Sequence, residues 1–404
     1  MDGVDLAWIE TDGHNYVKPR GFASYPYSIS DREILRAALG ARQVKEPRAK
    51  RAKSILMFRH IEAAQDFLGK NKDCKPELIG FHGQSLYHNP DEGESVTIGK
   101  GKGLARALNI PVVYEMRKAD IKAGGQGAPL LPLYHKALTA DRDDAIAVLN
   151  IGGVSNITYI DGETVIACDT GPGNALIDDA MQSRFGKSFD QGGALASQGD
   201  VDQVLLEKWL SHPYFDRKPP KSLDRNSFDA EGLDHLSDKD AIATLTAFTA
   251  EAIAQIVKHL PQAPKEWIIC GGGRHNSTLL AMLQKQVGGN IIPSDTLGWN
   301  GDAIEAEGWA YLAVRSKLGL PLSLPTTTGA PEPLTGGTLE EPDGKICISI
   351  CAMDPVTGWC LGCGRSREEI DDWKTFSSDK QQSIAEALPG RMASLSWDTL
   401  GETG

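Results

Sequence analysis

The segment CDTGPGNALIDD, residues 168–179, sets an aspartate, Asp169, at the mouth of a Gly-Pro-Gly turn. A carboxylate there can take a proton, while the bare backbone around Gly171 and Gly173 can approach an anion closely because no Cβ intervenes. The plain alternative is that Asp169 caps the helix that follows. Asp178 and Asp179, nine and ten residues further on, read as helical caps or solvent-facing acids. Two other apolar runs end in the same style, NIGGVSN at 150–156 and CGGGRHN at 270–276. Three strand-ending glycine turns, those of 77–85, 145–156 and 266–276, each with Ser, Asn or His in reach, point to a nucleotide phosphate site. None has the Gly-Lys-Ser/Thr ending of a P-loop, and there is no GxGxxG run, which argues against a Rossmann dehydrogenase.

A second constellation lies near the C-terminus. Cys347, Cys351, Cys360 and Cys363 form C-x3-C, eight residues, then C-x2-C. Two close pairs of thiols can wrap a tetrahedral zinc ion or a small iron–sulfur cluster, and four sulfurs do not choose between them. Four unliganded thiols are the alternative. A segment this short buries little core and usually needs such a staple. Trp359, Trp373 and Phe376 are candidates to cover the metal, and SREE (366–369) and SDKQ (378–381) read as helix capping boxes. Cys168 and Cys270 end apolar strands and read as small buried hydrophobes; Cys74 stands alone.

The elements that must hold these residues alternate. ELIGFHGQS (77–85), AIAVLNIGGVSN (145–156) and EWIICGGGRHN (266–276) each run from an apolar strand into a glycine turn. In 241–260, Ile242, Leu245, Phe248, Ala252, Ile256 and Leu260 recur at three- or four-residue steps and predict an amphipathic helix. Strands alternating with helices mean an α/β fold, with ligand sites where strand ends open into loops. The stretch 331–345, rich in Pro, Gly and acids, reads as a linker.

The totals set outer bounds. The chain has 404 residues, 41% of them apolar, enough for two domains and a small third. Its net charge of −12 argues against nucleic acid or an anionic membrane as partner. The basic run at 42–53 reads as a solvated loop or helix face. No signal peptide is evident, and no run approaches the roughly 18 apolar residues of a membrane helix. A cytoplasmic location is the expectation.

FHGQSLYH, MRKADIKAGGQGAPLLP, LNIGGVSNIT, CDTGPGNALIDD, CGGGRHN and PTTTGAP occur in this order across residues 1–330. In that order they resemble the anhydro-N-acetylmuramic acid kinases, within the superfamily of sugar kinases, actin and heat-shock-protein ATPases. The resemblance implies a two-lobed, actin-like (ribonuclease H-like) fold. Lobe I would span about 1–140 plus a returning helix at about 300–320, and lobe II about 141–299. It implies ATP with magnesium, a small-molecule sugar substrate, a possible homodimer, and a role in peptidoglycan recycling. Asp169 matches the catalytic position. Asp2, Gly3, Asn150, Gly152, Gly153, Gly171, Gly173, Gly271, Gly272, Gly273 and Asn276 would line ATP and its phosphates. His82, Gln84, Arg117, Asp120, Gln126, Asn174 and Glu305 would contact the sugar, Arg117 suiting its lactyl carboxylate. His275 reads as structural. Residues 346–404 resemble a small bacterial Cys-rich domain of uncharacterised function.

The family opens with a strand and Gly-Thr-Ser before an apolar residue and Asp-Gly-Val-Asp, whereas this sequence begins MDGVD. The expectation is that the native chain extends upstream, since losing that strand would leave two neighbours unpaired. A kinase of another sugar, or a catalytically weak ATP-binding or redox-sensing protein, are the alternative functions.

Overall fold

The computed structural model describes residues 3–89, 92–223, 227–350 and 352–395. Asp2 and Cys351, both expected at sites, lie outside the described residues. The chain divides into two compact units, one of residues 1–124, 306–322 and 334–404, the other of 125–305 and 323–333.

The first unit opens on a hairpin, β1 (Gly3–Thr11) against β2 (Val17–Pro26). Strand β3 (Ile79–Gly80) is followed by a second hairpin, β4 (Gln84–Asn89) with β5 (Glu94–Ile98), and then by β6 (Val112–Tyr114). β3 pairs in parallel with β6, and among the described residues β1 bonds only β2 and β3 only β6. The helix Pro47–Lys70 grows out of the basic run, its Ala49, Ala52, Leu56, Met57 and Ile61 turned into a core shared with Val4, Phe81 and Val112. Charged side chains of the run therefore occupy the other face of a helix, where they are solvated. The helix Ile304–Lys317 lies against β3, where the backbone of Trp309 comes so close to Gly80 that a side chain has no room there.

The second unit carries β7 (Ile146–Ile151), β8 (Val154–Asp161), β9 (Thr164–Pro172), β10 (Glu266–Cys270) and β11 (Asn290–Pro293). They form one sheet in the order β11-β10-β7-β8-β9. β7, β8 and β9 meander antiparallel, and β10 and β11 add in parallel on the other side of β7. Parallel central strands buried on both faces read as near-continuous apolar runs, as IAVLNI does here. The sheet packs on Asp238–Ala254, capped by Ser237, whose hydroxyl accepts the Asp240 N–H. All six periodic residues are buried, although the α-helix ends at Ala254 and leaves Ile256 in a 3-10 turn (Gln255–His259) and Leu260 at its cap; Ala243, Thr246, Ala250 and Ile253 between them are buried too. The helix is buried all round because it divides two apolar clusters, one shared with the sheet and one with Trp209, Phe215 and Phe228. The stretch Asp238–His259 is long and apolar enough to cross a membrane, contrary to the sequence reading. With 72% of its apolar window buried, it serves as a core helix.

The C-terminal segment packs onto the first unit. Residues 338–340, inside the stretch read as linker, form β12 (Thr338–Glu340), which pairs antiparallel with β6. Arg106 grips Asp343 with two bonds of 2.7 and 2.8 Å and also donates to the Cys347 carbonyl. Ile350 is buried in the first unit's core, and Leu361 packs on Ile55.

Candidate active site

The second unit brings together the glycine turns at 152–153, 171–174 and 271–273, whereas the turn at 77–85, read with the phosphate loops, belongs to the first unit. Between β7 and β8, the carbonyls of Gly152 and Gly153 accept N–H groups from the turn that ends β9: Asn174 to Gly152 at 2.7 Å, and Gly173 and Ala175 to Gly153 at 2.9 and 3.2 Å. Asn174 Nδ2 adds a bond to the Ile151 carbonyl. A Cβ on Gly173 would strike the Gly152 carbonyl, so the stitch requires glycine. The third turn closes from β10. Gly271, at φ +72°, and Gly273 both lie so near Ile151 that no side chain fits. Among the described residues the N–H groups of Gly152, Gly153, Gly271 and Gly272 donate no hydrogen bond. Backbone amides left unpaired in a concave turn make an anion site. The N–H groups of Gly173 and Asn174 do not join them, being bound to carbonyls.

Arg274, which sequence reasoning passed over, braces the third turn. It is 7% exposed and bonds the Gly271 carbonyl at 3.0 Å, Asp295 at 2.9 Å and Asp302 at 3.0 Å. The glycine-rich word quoted around it held the only signal. Asn276 is buried, and its Oδ1 accepts the Leu279 N–H at 2.9 Å to cap the helix Ser277–Gln286. That oxygen is engaged in the fold, so only the amide nitrogen is left for a ligand.

Asp169 lies in β9 opposite Asn156, beside a register shift in β8. It does not cap the following helix, whose N-cap is Asn174. The main-chain N–H of Asp169 donates to the Lys221 carbonyl at 3.0 Å, and its carbonyl accepts Tyr214 Oη–H at 2.7 Å. Carboxylate Oδ2 accepts the Leu223 N–H at 2.7 Å, while Oδ1 has no partner among the described residues. Burial pushes the carboxyl up to about 6, against the opposing pull of the Leu223 N–H. A carboxylate so tuned is poised as a proton acceptor near neutrality. Beside it lies a cavity of about 340 Å³ lined by His212, Tyr214, Arg217, Ser222 and Leu223 among others. Sequence reasoning missed these residues, which lie 43 or more positions from Asp169 and carry no motif.

Of the expected sugar contacts, His82, Gln84, Arg117 and Asp120 belong to the first unit, and Gln126, Asn174 and Glu305 to the second. His82 stacks on Trp309 with ring centroids 5.3 Å apart, and the Arg117 guanidinium stands 4.8 Å from the same indole. Although its ring is exposed, protein packed around it and the Arg117 charge push His82 down to about 4, so it is a neutral hydrogen-bonding group. Gln84 donates to the Ser85 carbonyl, and Asp120 is buried. The Gln126 N–H bonds Thr328 O at 2.8 Å. Glu305 is exposed in the first turn of its helix, while Glu307, two positions on, is buried. Gly3 begins β1 against the Tyr25 carbonyl.

The described residues do not assemble the expected metal centre: they contain no group of three or more His, Cys, Asp or Glu able to hold an ion. Cys360 and Cys363 are instead buried free thiols, Cys360 donating to the Ile350 carbonyl and Arg365 Nε donating to Cys363 Sγ. The neighbouring Cys360 thiol and Arg365 hold the Cys363 thiol below its ordinary range. The aromatic rings expected over a metal carry cations: Arg391 over Trp359, Arg365 over Trp373 and Lys380 over Phe376. The Ser366–Glu369 capping box forms as read; the last helix is capped one residue earlier than read, by Ser377.

A carboxyl raised to about 6 and turns of open amides on a three-plus-two mixed sheet are features that an ATP-dependent sugar kinase can use. Residues 1–341 match the family model described as anhydro-N-acetylmuramic acid kinase, and 347–392 one described as a protein of unknown function. Curated relatives bearing the kinase name include those of Rhizorhabdus wittichii, 48% identical over 85% of this chain and 96% of the relative, and Rhodopseudomonas palustris, with the same three figures. That of Zymomonas mobilis is 46% identical over 84% of this chain and 96% of its own. The chain belongs to the anhydro-N-acetylmuramic acid kinase family.

Proposed function

We propose that the chain uses ATP and water to convert 1,6-anhydro-N-acetylmuramic acid into N-acetylmuramic acid 6-phosphate and ADP, a step in peptidoglycan recycling. The observation that carries this is the pinned Asp169 carboxylate, raised to about 6, among the glycine turns of a chain with such relatives. In the reaction water attacks the anomeric carbon and gives up a proton to Asp169, the C1–O6 bridge breaks, and O6 takes the γ-phosphoryl group of ATP, with ADP as the leaving group. A carboxylate near its pKa suits the first event, and phosphoryl transfer itself asks chiefly for positioning and charge neutralisation.

The open amides of Gly152, Gly153, Gly271 and Gly272 would receive phosphate oxygens, with magnesium entering alongside ATP. Gly171, Gly173, Gly273 and Asn174 shape the turns, and Asn150 and Asn276 flank them. His82, Gln84, Arg117, Asp120, Gln126 and Glu305 are proposed to hold the sugar, Arg117 at the lactyl carboxylate. Incubation with ATP, magnesium and the anhydro sugar should release one ADP per sugar 6-phosphate, read by mass. ADP release without sugar phosphate, or phosphorylation of ordinary hexoses at equal rate, would contradict the proposal. No step is assigned to a metal in the C-terminal segment.

A further inference from the structure

We infer that the segment from His212 to Leu223 is a clasp that aims the Asp169 carboxylate, with Tyr214 as its positioning residue. Resting on the reading of Asp169 as general base, the inference comes from three contacts made by one short segment. Tyr214 Oη–H holds the Asp169 carbonyl at 2.7 Å, the Lys221 carbonyl holds its N–H at 3.0 Å, and the Leu223 N–H holds Oδ2 at 2.7 Å. Strand β9 makes its own pairing with β8 at this point, so these are contacts on its far edge, at the residue where chemistry is assigned. With main chain fixed on both sides and one carboxylate oxygen tied, Oδ1 is left as the oxygen for water. A base must be held within a few tenths of an ångström and a few degrees of the proton it takes.

The clasp is itself rigid. Lys221 is 3% exposed and donates to the Tyr214 carbonyl at 3.1 Å, its ammonium 4.4 Å from the centre of the Tyr214 ring. His212 accepts the Tyr214 N–H, and the neighbouring Phe215 packs on Phe228 and Phe248 while its carbonyl bonds His259 Nε2. Tyr214 is 4% exposed, and burial beside Asp169 raises its phenol well above the usual range. It is therefore a neutral donor at any working pH, able to orient Asp169 but not to exchange protons with substrate. The other ionisable groups around it are His212 at its N–H, Lys221, Arg217 over the ring, and Cys168 in β9.

The test is Tyr214→Phe, which removes one hydroxyl from a buried ring and keeps its packing. The expected result is a roughly tenfold or larger fall in kcat with KM for ATP and sugar changed less than about twofold. The acid limb of the kcat–pH profile should move below that of the unmodified chain as water reaches the loosened carboxylate. Lys221→Met, which frees the Tyr214 carbonyl, should act in the same direction. In an Asp169→Asn background, Tyr214→Phe should cost nothing further, since a positioning effect vanishes with the group it positions. If Asp169→Asn keeps its turnover, the base reading falls. If Asp169→Asn is inactive while both Tyr214→Phe and Lys221→Met keep kcat and the acid limb, the clasp falls and the base reading stands.

Discussion

Asp169→Asn should make the protein more stable at neutral pH while abolishing its chemistry. Burial raises the carboxyl from 3.8 to about 6. The folded state therefore binds a proton that the unfolded state releases, and stability is lost as pH rises through that window. At about 1.4 kcal/mol per pH unit, holding the charged form folded at pH 7 costs about 3 kcal/mol. Asparagine is uncharged, nearly isosteric, and still offers an oxygen to the Leu223 N–H, so the substitution removes the cost and keeps the bond. For a unit of this size ~3 kcal/mol corresponds to a rise in Tm of roughly 5–10 °C. Thermal unfolding of both proteins should be followed from pH 4 to pH 8. The two melting curves should converge near pH 4, and the mutant's advantage should grow as pH rises from there to about 6 and level off above it. A mutant less stable than the parent at pH 8, or an advantage that does not vary with pH, would refute a carboxyl held above its ordinary range.

Other outcomes follow from the same geometry. Gly173→Ala drives a Cβ into the Gly152 carbonyl and should part the two turns, lowering both Tm and nucleotide affinity measured by calorimetry. Arg274→Met leaves Asp295, Asp302 and the Gly271 carbonyl without their shared donor; with both carboxylates largely exposed, a loss of about 1 kcal/mol in denaturant unfolding and weaker ATP binding are expected. Activity should fall as pH drops below about 6, because the base works only when deprotonated, and a kcat–pH profile reads this directly. Arg106→Ala breaks the two-bond grip on Asp343 and the bond to the Cys347 carbonyl, so limited proteolysis should release the C-terminal segment sooner.

What the sequence revealed and what it hid divide by range. The strand-then-glycine words, the buried face of 241–260 and the Ser366–Glu369 cap were readable because each is set by neighbours along the chain. Asn276 before a helical stretch carried an N-cap signal too, though it reads more naturally as a ligand contact beside three glycines. The clasp was invisible: Tyr214 meets Asp169 across 45 positions, and nothing in HPYFDRKPPKSL marks it. The seating of the C-terminal segment was hidden for the same reason, with Arg106 and Asp343 237 positions apart. β12, three residues long, is too short for alternation to show within a Pro- and Gly-rich stretch.

Turnover by the Asp169→Asn protein, with ATP, magnesium and anhydro-N-acetylmuramic acid at saturation, tests the central claim most directly. The account predicts a fall in kcat of about 10²–10⁴-fold with nucleotide affinity unchanged. Turnover within a few-fold of the unmodified chain would contradict it.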